Sequence, residues 1–161
     1  MDDLGPRVVP ALQEAALTAA AAWISYSTSS LIGLQEGYWA AISSIIVTQS
    51  EFKLAEISGL ARFVGTAIGA LIALPCALYW QSRTSIFALA VALSVFICQR
   101  IKVTGAARLA GVTVAVIMLI PRAEPIWRIA LFRFLEVSWG IAVALALAMF
   151  TEWIRKRILA N

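Results

Sequence analysis

Phe87-Ala88-Leu89-Ala90-Val91-Ala92-Leu93 and Ile141-Ala142-Val143-Ala144-Leu145-Ala146-Leu147 are apolar at every position. A chain crosses a bilayer either as helices or as a closed β-barrel, because only these satisfy the polar groups of their own backbone. A barrel strand alternates polar and apolar residues over segments of about ten, and neither stretch alternates. Both are rich in Ala and Leu, the strongest helix formers. They read as helix without a polar face.

The surrounding composition agrees. Of 161 residues, 61% are apolar and 14% charged, against about 25% charged in an ordinary soluble domain. A soluble domain of this size has too little interior to hide that much apolar surface, and disorder needs the opposite balance. Mean hydropathy is +0.87. The chain reads as an all-α integral membrane protein.

One crossing takes about 20 residues. Charge-free runs occupy 15–35, 37–50, 63–82, 84–99, 109–121 and 137–151. Extended by their flanks, they predict a polytopic six-helix transmembrane bundle, a single membrane domain over 1–161. Its helices fall near 11–33, 37–50, 60–80, 84–99, 103–121 and 126–151, the last requiring Arg133 and Glu136 inside a helix. The second is the weakest span, a short helix that either crosses or is partly re-entrant. Asp2 and Asp3 stand where a signal peptide carries basic residues, so the first run is expected to be a retained membrane helix.

Basic residues set an orientation. With six crossings, Arg7, Lys53, Arg62, Arg100, Lys102, Arg108, Arg155, Lys156 and Arg157 share one face, nine in all. The other face has Arg83, Arg122, Arg128 and Arg133, four at most. Both termini are therefore expected in the cytoplasm. The net charge of +4 is accounted for by helix ends facing an anionic leaflet, with no nucleic acid needed. Trp39, Trp80, Trp127 and Trp153 near run ends suit an interfacial aromatic belt; Trp23 and Trp139 fall inside runs and pack or face lipid.

Much chemistry is absent from the sequence. There is no histidine, which removes His-ligated metal sites and Ser-His-Asp or Cys-His nucleophiles. Cys76 and Cys98 lie far apart in apolar runs and read as small buried hydrophobes. No phosphate-binding glycine motif is present. No enzyme, metal or cofactor is expected, and any transport would be passive or ion-coupled.

Small residues mark the third helix: Gly65 and Gly69, extended by Ala61 and Ala73 at four-residue spacing. Such a ridge lets membrane helices approach closely, within one subunit or between two. Pro75 in the same helix is expected to kink it. A small internal likeness links Arg62, Gly65 and Gly69 with Arg108, Gly111 and Ala115, and with Arg133, Glu136 and Gly140. Arg133 and Glu136, three apart, share a helix face. An ionisable group there is costly unless paired or hydrated. The pair reads as a cationic site for an anionic substrate, with Glu136 as partner or proton carrier. It reads equally as a structural ion pair, or as an arginine snorkelling to the interface. Ser44 and Thr48, four apart on the second helix, either line a wet path or bond back to their own backbone. The same choice applies to Ser25, Ser27, Thr28, Ser29 and Ser30.

Two stretches carry a family resemblance. One is Gly37-Tyr38-Trp39-Ala40-Ala41 running into Ile45-Ile46-Val47-Thr48-Gln49, and the other is Arg62-Phe63-Val64-Gly65-Thr66-Ala67-Ile68-Gly69-Ala70. Together they resemble the membrane domain of the fusaric-acid-resistance-like transporters, the aromatic acid exporter group, with a Tyr-Trp-Ala start to a short second helix and an Arg-x-x-Gly-Thr-x-x-Gly helix. Arg108-Leu109-Ala110-Gly111 and Arg133-Phe134-Leu135-Glu136 with Gly140 fit that family's fifth and sixth helices, so the likeness covers about 11–153. It implies a six-helix bundle of the bacterial inner membrane engaged in efflux of aromatic or other organic acids, with plant malate-type anion channels as distant relatives. Larger members carry two membrane halves and a cytoplasmic domain. A single half suggests a homo-oligomer.

The expectation is a small permease for an organic anion, with Arg62, Arg108 and Arg133 supplying the positive field and Glu136 tuning it. Ser44 and Thr48 complete the candidate path, while Gly65, Gly69, Ala73, Gly111 and Gly140 pack helices. The alternative is a non-transporting accessory protein that docks on a partner through the small-residue faces.

Overall fold

The computed structural model describes residues 5–49, 51–79, 84–120 and 125–159. Six helices follow one another: α1 (Gly5–Leu31), α2 (Tyr38–Val47), α3 (Phe52–Tyr79), α4 (Thr84–Ile101), α5 (Ala106–Leu119) and α6 (Ile126–Leu159). No strand occurs among the described residues. The helices number and order as expected, but α1, α3 and α6 outrun their charge-free segments. Charge marks where the hydrocarbon ends, not where the helix ends. In α3 the added turns keep Ala55 and Gly59 buried and hold Lys53 and Glu56 outward. The last turns of α6 carry a Glu152–Lys156 ion pair at 2.8 Å, four residues apart, and Arg157 over the Trp153 ring at 4.1 Å. Both suit an aqueous or headgroup setting.

Among the described residues, three helices, α3, α4 and α6, are long and apolar enough to span a membrane. The ten residues of α2 rise only about 15 Å, half of a hydrocarbon core. The expected short second helix is found. α3 runs as one helix through Pro75; the proline sits at an exposed position.

Contacts order the helices. Ser25 of α1 meets Ser44 of α2, while Ser29 lies against Gly37, so these two helices are antiparallel. α2 runs parallel to α6: Glu36 meets Glu136, Ala40 meets Gly140, and Val47 packs with Val137, Ile141 and Ala144. α3 is antiparallel to α6, with Phe63 against Phe134 and Gly59 against Ile141. α5 runs parallel to α3, where Gly65 faces Ala106 and Gly69 faces Ala110 and Thr113. α4 covers α5 through Val91 and Val95 against Gly111. The connections α2–α3 and α4–α5 therefore share one end of the bundle with the start of α1 and the end of α6. Lys53, Arg100, Lys102, Arg108, Arg155, Lys156 and Arg157 are exposed on residues grouped toward that end. At the α4–α5 turn Gly105 has φ 88°, a left-handed conformation that a side chain would strain.

The interior is built from small residues. One cluster joins Ala73, Ala90, Val114, Ile117 and Ala130; another joins Ala61, Cys98, Ala106 and Ala110. Large apolar side chains point outward instead, among them Trp23, Leu71, Leu89 and Phe96. In water such a surface would aggregate. In a bilayer it meets lipid, while close helix contact supplies cohesion through dispersion.

Candidate functional site

The site forms around α2, whose length leaves its first turn deep in the bundle. Glu36, in the connection before it, donates its backbone N–H to Glu136 Oε1 at 2.8 Å. Its carboxylate Oε2 stands 3.2 Å from Arg133 Nη2. The Arg133 guanidinium lies 3.6 Å from the centroid of the Trp39 ring, a cation–π contact. Arg133 and Glu136 are thus brought together as their spacing suggests, but a third residue, Glu36, completes the ion pair from 97 positions away. Glu136 is fully buried and Arg133 is 2% exposed, whereas the Glu36 side chain is 26% exposed.

Arg62 reaches the same helix from α3. It is 3% exposed, and its Nε points to Ser43 Oγ across a long 3.4 Å. Trp39 and Ser43 are four apart on one face of α2, about 6 Å along its axis, and one guanidinium group meets each of them. Thr66, one turn beyond Arg62 on α3, is wholly buried. Thr66 Oγ1 and Trp39 Nε1 have no hydrogen-bond partner among the described residues. A buried donor without a partner costs about 1–3 kcal/mol; Trp39 Nε1 lies in the ring against Arg133, and Thr66 Oγ1 stands one turn from Arg62. The set offers donors and two positive charges, balanced by the carboxylates of Glu36 and Glu136.

A match to the family described as fusaric acid resistance protein-like spans residues 19–147, well over half of the chain. The chain belongs to that family. No curated protein and no solved structure matches it. Membership of the fusaric acid resistance protein-like family, with three membrane-length apolar helices, points to a membrane protein with a transport- or efflux-related role. The matched region holds every residue of the α2 site.

The remaining candidates are placed elsewhere. Arg108 is exposed on α5, so three arginines do not converge; only Arg62 and Arg133 do. Its arginine-to-glycine spacing repeats theirs, but the face it occupies turns outward. Ser44 and Thr48 are buried, with their hydroxyls taken up by helix bonds: Ser44 to Ala41 O at 2.9 Å and Thr48 to Ser44 O at 2.7 Å. Ser44 Oγ also lies 2.9 Å from Ser25 Oγ, tying α1 to α2. The hydroxyls of Ser25, Thr28, Ser29 and Ser30 likewise bond back to carbonyls three or four residues earlier. Trp39 is drawn inward under Arg133 and so leaves the interfacial belt, where Trp127 and Trp153 are exposed as expected. Trp139 donates Nε1–H to Thr28 Oγ1 at 2.9 Å. Trp80, Arg83 and Arg122 lie outside the described residues.

The small residues pack within the chain. Gly65 and Gly69 lie against α5, Gly140 against Ala40 and Ser43 of α2, and Gly111 against α4; Ala73 is core. The ridge on α3 is covered by the protein's own α5, the within-subunit packing that was one of its two readings. Sequence reasoning missed Glu36, Thr66 and Trp39 as members of the site. A signal existed for Glu36, the single charge that separates two apolar runs.

Proposed function

We propose that the protein is an inner-membrane permease that exports aromatic or other organic acid anions. It has both termini in the cytoplasm and no catalytic step, cofactor, metal or nucleic-acid partner. The observation that carries this reading is the donor set at α2: two buried guanidinium groups, an indole N–H and a hydroxyl, the last two without acceptors among the described residues. A guanidinium is charged at any working pH and offers a planar fork to a carboxylate. Outward movement needs no dedicated fuel, since a negative interior drives a monovalent anion out with about 2.3 kcal/mol per 100 mV. The accessory reading relied on small-residue faces, and α5 and α2 occupy those. Any homo-oligomer must use other surfaces.

The test is efflux of labelled benzoate from liposomes holding purified protein. Arg62→Gln is expected to cut the rate about tenfold, while Arg108→Gln, outside the cluster, leaves it unchanged. Equal loss in both would reduce the arginines to a diffuse field. Topology is tested separately with reporters at Pro125 and at the carboxyl terminus, which flank α6. They are expected on opposite sides, the carboxyl terminus inside. Both on one side would sink the assignment of α6 as a crossing.

A further inference from the structure

We infer that the Glu36 carboxylate is an internal stand-in for the transported anion: it occupies the seat on Arg133 and Trp39 that a small organic carboxylate takes when it enters. The inference rests on the anion-export reading above.

The geometry distinguishes Glu36 from its neighbour. Of the four charged side chains in the cluster, Arg62 belongs to α3, Arg133 and Glu136 belong to α6, and all three are buried. Glu36 alone belongs to a connection and is partly open, at 26%. Among the contacts that hold it there are its carboxylate to Arg133, its backbone N–H to Glu136 and its carbonyl, which accepts from Trp39 N–H. The connection carries glycines on both sides of it. Gly33 has φ 79° with open space around it, whereas Gly37 is packed against Ser29. A segment so built can turn the carboxylate outward about Gly33 while Gly37 keeps the start of α2 in place.

Exchange of one carboxylate for another solves an energetic problem. Withdrawing a counter-ion from a guanidinium in an apolar interior is costly, so a route in which Arg133 first gives up Glu36 and then receives its anion is slow. When the incoming carboxylate replaces Glu36, the charge on Arg133 is answered throughout. Glu36 moves only from partial to full hydration. The Trp39 ring, 3.6 Å from the guanidinium, keeps the cation oriented during the exchange. Its Nε1–H, without an acceptor among the described residues, offers the arriving anion a hydrogen bond additional to the guanidinium.

An occupied seat lowers apparent affinity by the fraction of molecules in which it is free. If the pair is formed in about nine-tenths of molecules, its removal tightens binding about tenfold. The experiment is equilibrium binding of labelled benzoate to the purified full chain, with Glu36→Gln, Glu36→Asp and Arg133→Gln beside wild type. Thermal melting of each establishes that it is folded. The expected result is about tenfold tighter binding in Glu36→Gln, an intermediate gain in Glu36→Asp, whose shorter arm retreats from Arg133, and no binding in Arg133→Gln. Benzoate should also raise the melting temperature of Glu36→Gln more than that of wild type. Should Glu36→Gln not fold, Glu36→Asp decides.

Unchanged or weaker binding in the folded Glu36 variants overturns the inference, as does the absence of binding in every form. Efflux measured on the same proteins separates the two readings. Wild-type efflux with unaltered affinity in the variants removes the stand-in and leaves export. Tighter binding in Glu36→Gln with no efflux from any form keeps the stand-in and removes export.

Discussion

Arg133→Gln should abolish benzoate efflux, lowering it about a hundredfold, the equivalent of one charged hydrogen bond of about 3 kcal/mol. The residue is 2% exposed, pairs with Glu36 and stacks on Trp39. Its loss has two consequences that must be told apart. It withdraws the charge that attracts an anion, and it destabilises the fold by about 3–5 kcal/mol, since the carboxylates gathered at a buried cation lose it. The double variant Arg133→Gln/Glu136→Gln, which also neutralises the fully buried carboxylate, separates them. Removing the carboxylate with the cation should restore much of the melting temperature, because a neutral pair is cheaper to bury than a lone charge. Efflux should stay lost, because nothing returns the positive charge. Efflux that recovers together with stability would assign Arg133 to structure. Arg133→Lys refines the result: it keeps the charge without the planar fork, and should retain the fold better than it retains transport.

The second large effect belongs to the α3–α5 contact. Isoleucine at both Gly65 and Gly69 should leave little folded protein, a penalty of about 3 kcal/mol or more. A Cβ at Gly65 would stand 2.6 Å from Ala106 O, and one at Gly69 would stand 2.6 Å from Ala110 O. Leu109 Cβ and Thr113 Cβ follow at 2.8 Å. These obstacles are backbone and the first carbons of side chains, which no rotamer change can clear, so α5 itself must move. The shift would propagate into both small-residue clusters, since Ala61, Ala106 and Ala110 fill one and Ala73, Val114 and Ile117 the other. Thermal melting in detergent reads the effect. A melt that matches wild type would refute the close approach of α3 and α5, whatever happened to any oligomer.

Several features were legible without coordinates because the solvent dictates them. A chain that is 61% apolar and 14% charged has lipid as its solvent. Lipid then requires each backbone bond to be made within its own segment. Six helices, a short second one and an interior of Gly and Ala follow from that requirement. So does interest in Arg133 and Glu136, whose charge within an apolar helix demands an answer. Helix ends were less legible, since α1, α3 and α6 continue beyond the hydrocarbon where charge no longer opposes them.

The composition of the site was decided by tertiary structure. Glu36 and Arg133 meet across 97 residues, and no local period connects them. Their meeting depends on α2 being short enough to sink the α1–α2 connection to the level of Glu136, and on Gly140 admitting Ala40 close to α6. Arg108 carries the same local spacing as Arg62 and Arg133, yet it is exposed, because which side of a helix faces the centre depends on what packs against the others. Likewise Ser44 and Thr48 have the hydroxyls of a polar path, and only their bonds to Ala41 and Ser44 show them tied to the backbone. Sequence alone determined that this chain is a membrane-spanning helical bundle with charge inside it, because hydrophobicity acts on every residue independently of its neighbours in space. Which charges meet, and which polar atoms are left wanting an acceptor, is a property of pairs, and pairs exist only once the helices have packed.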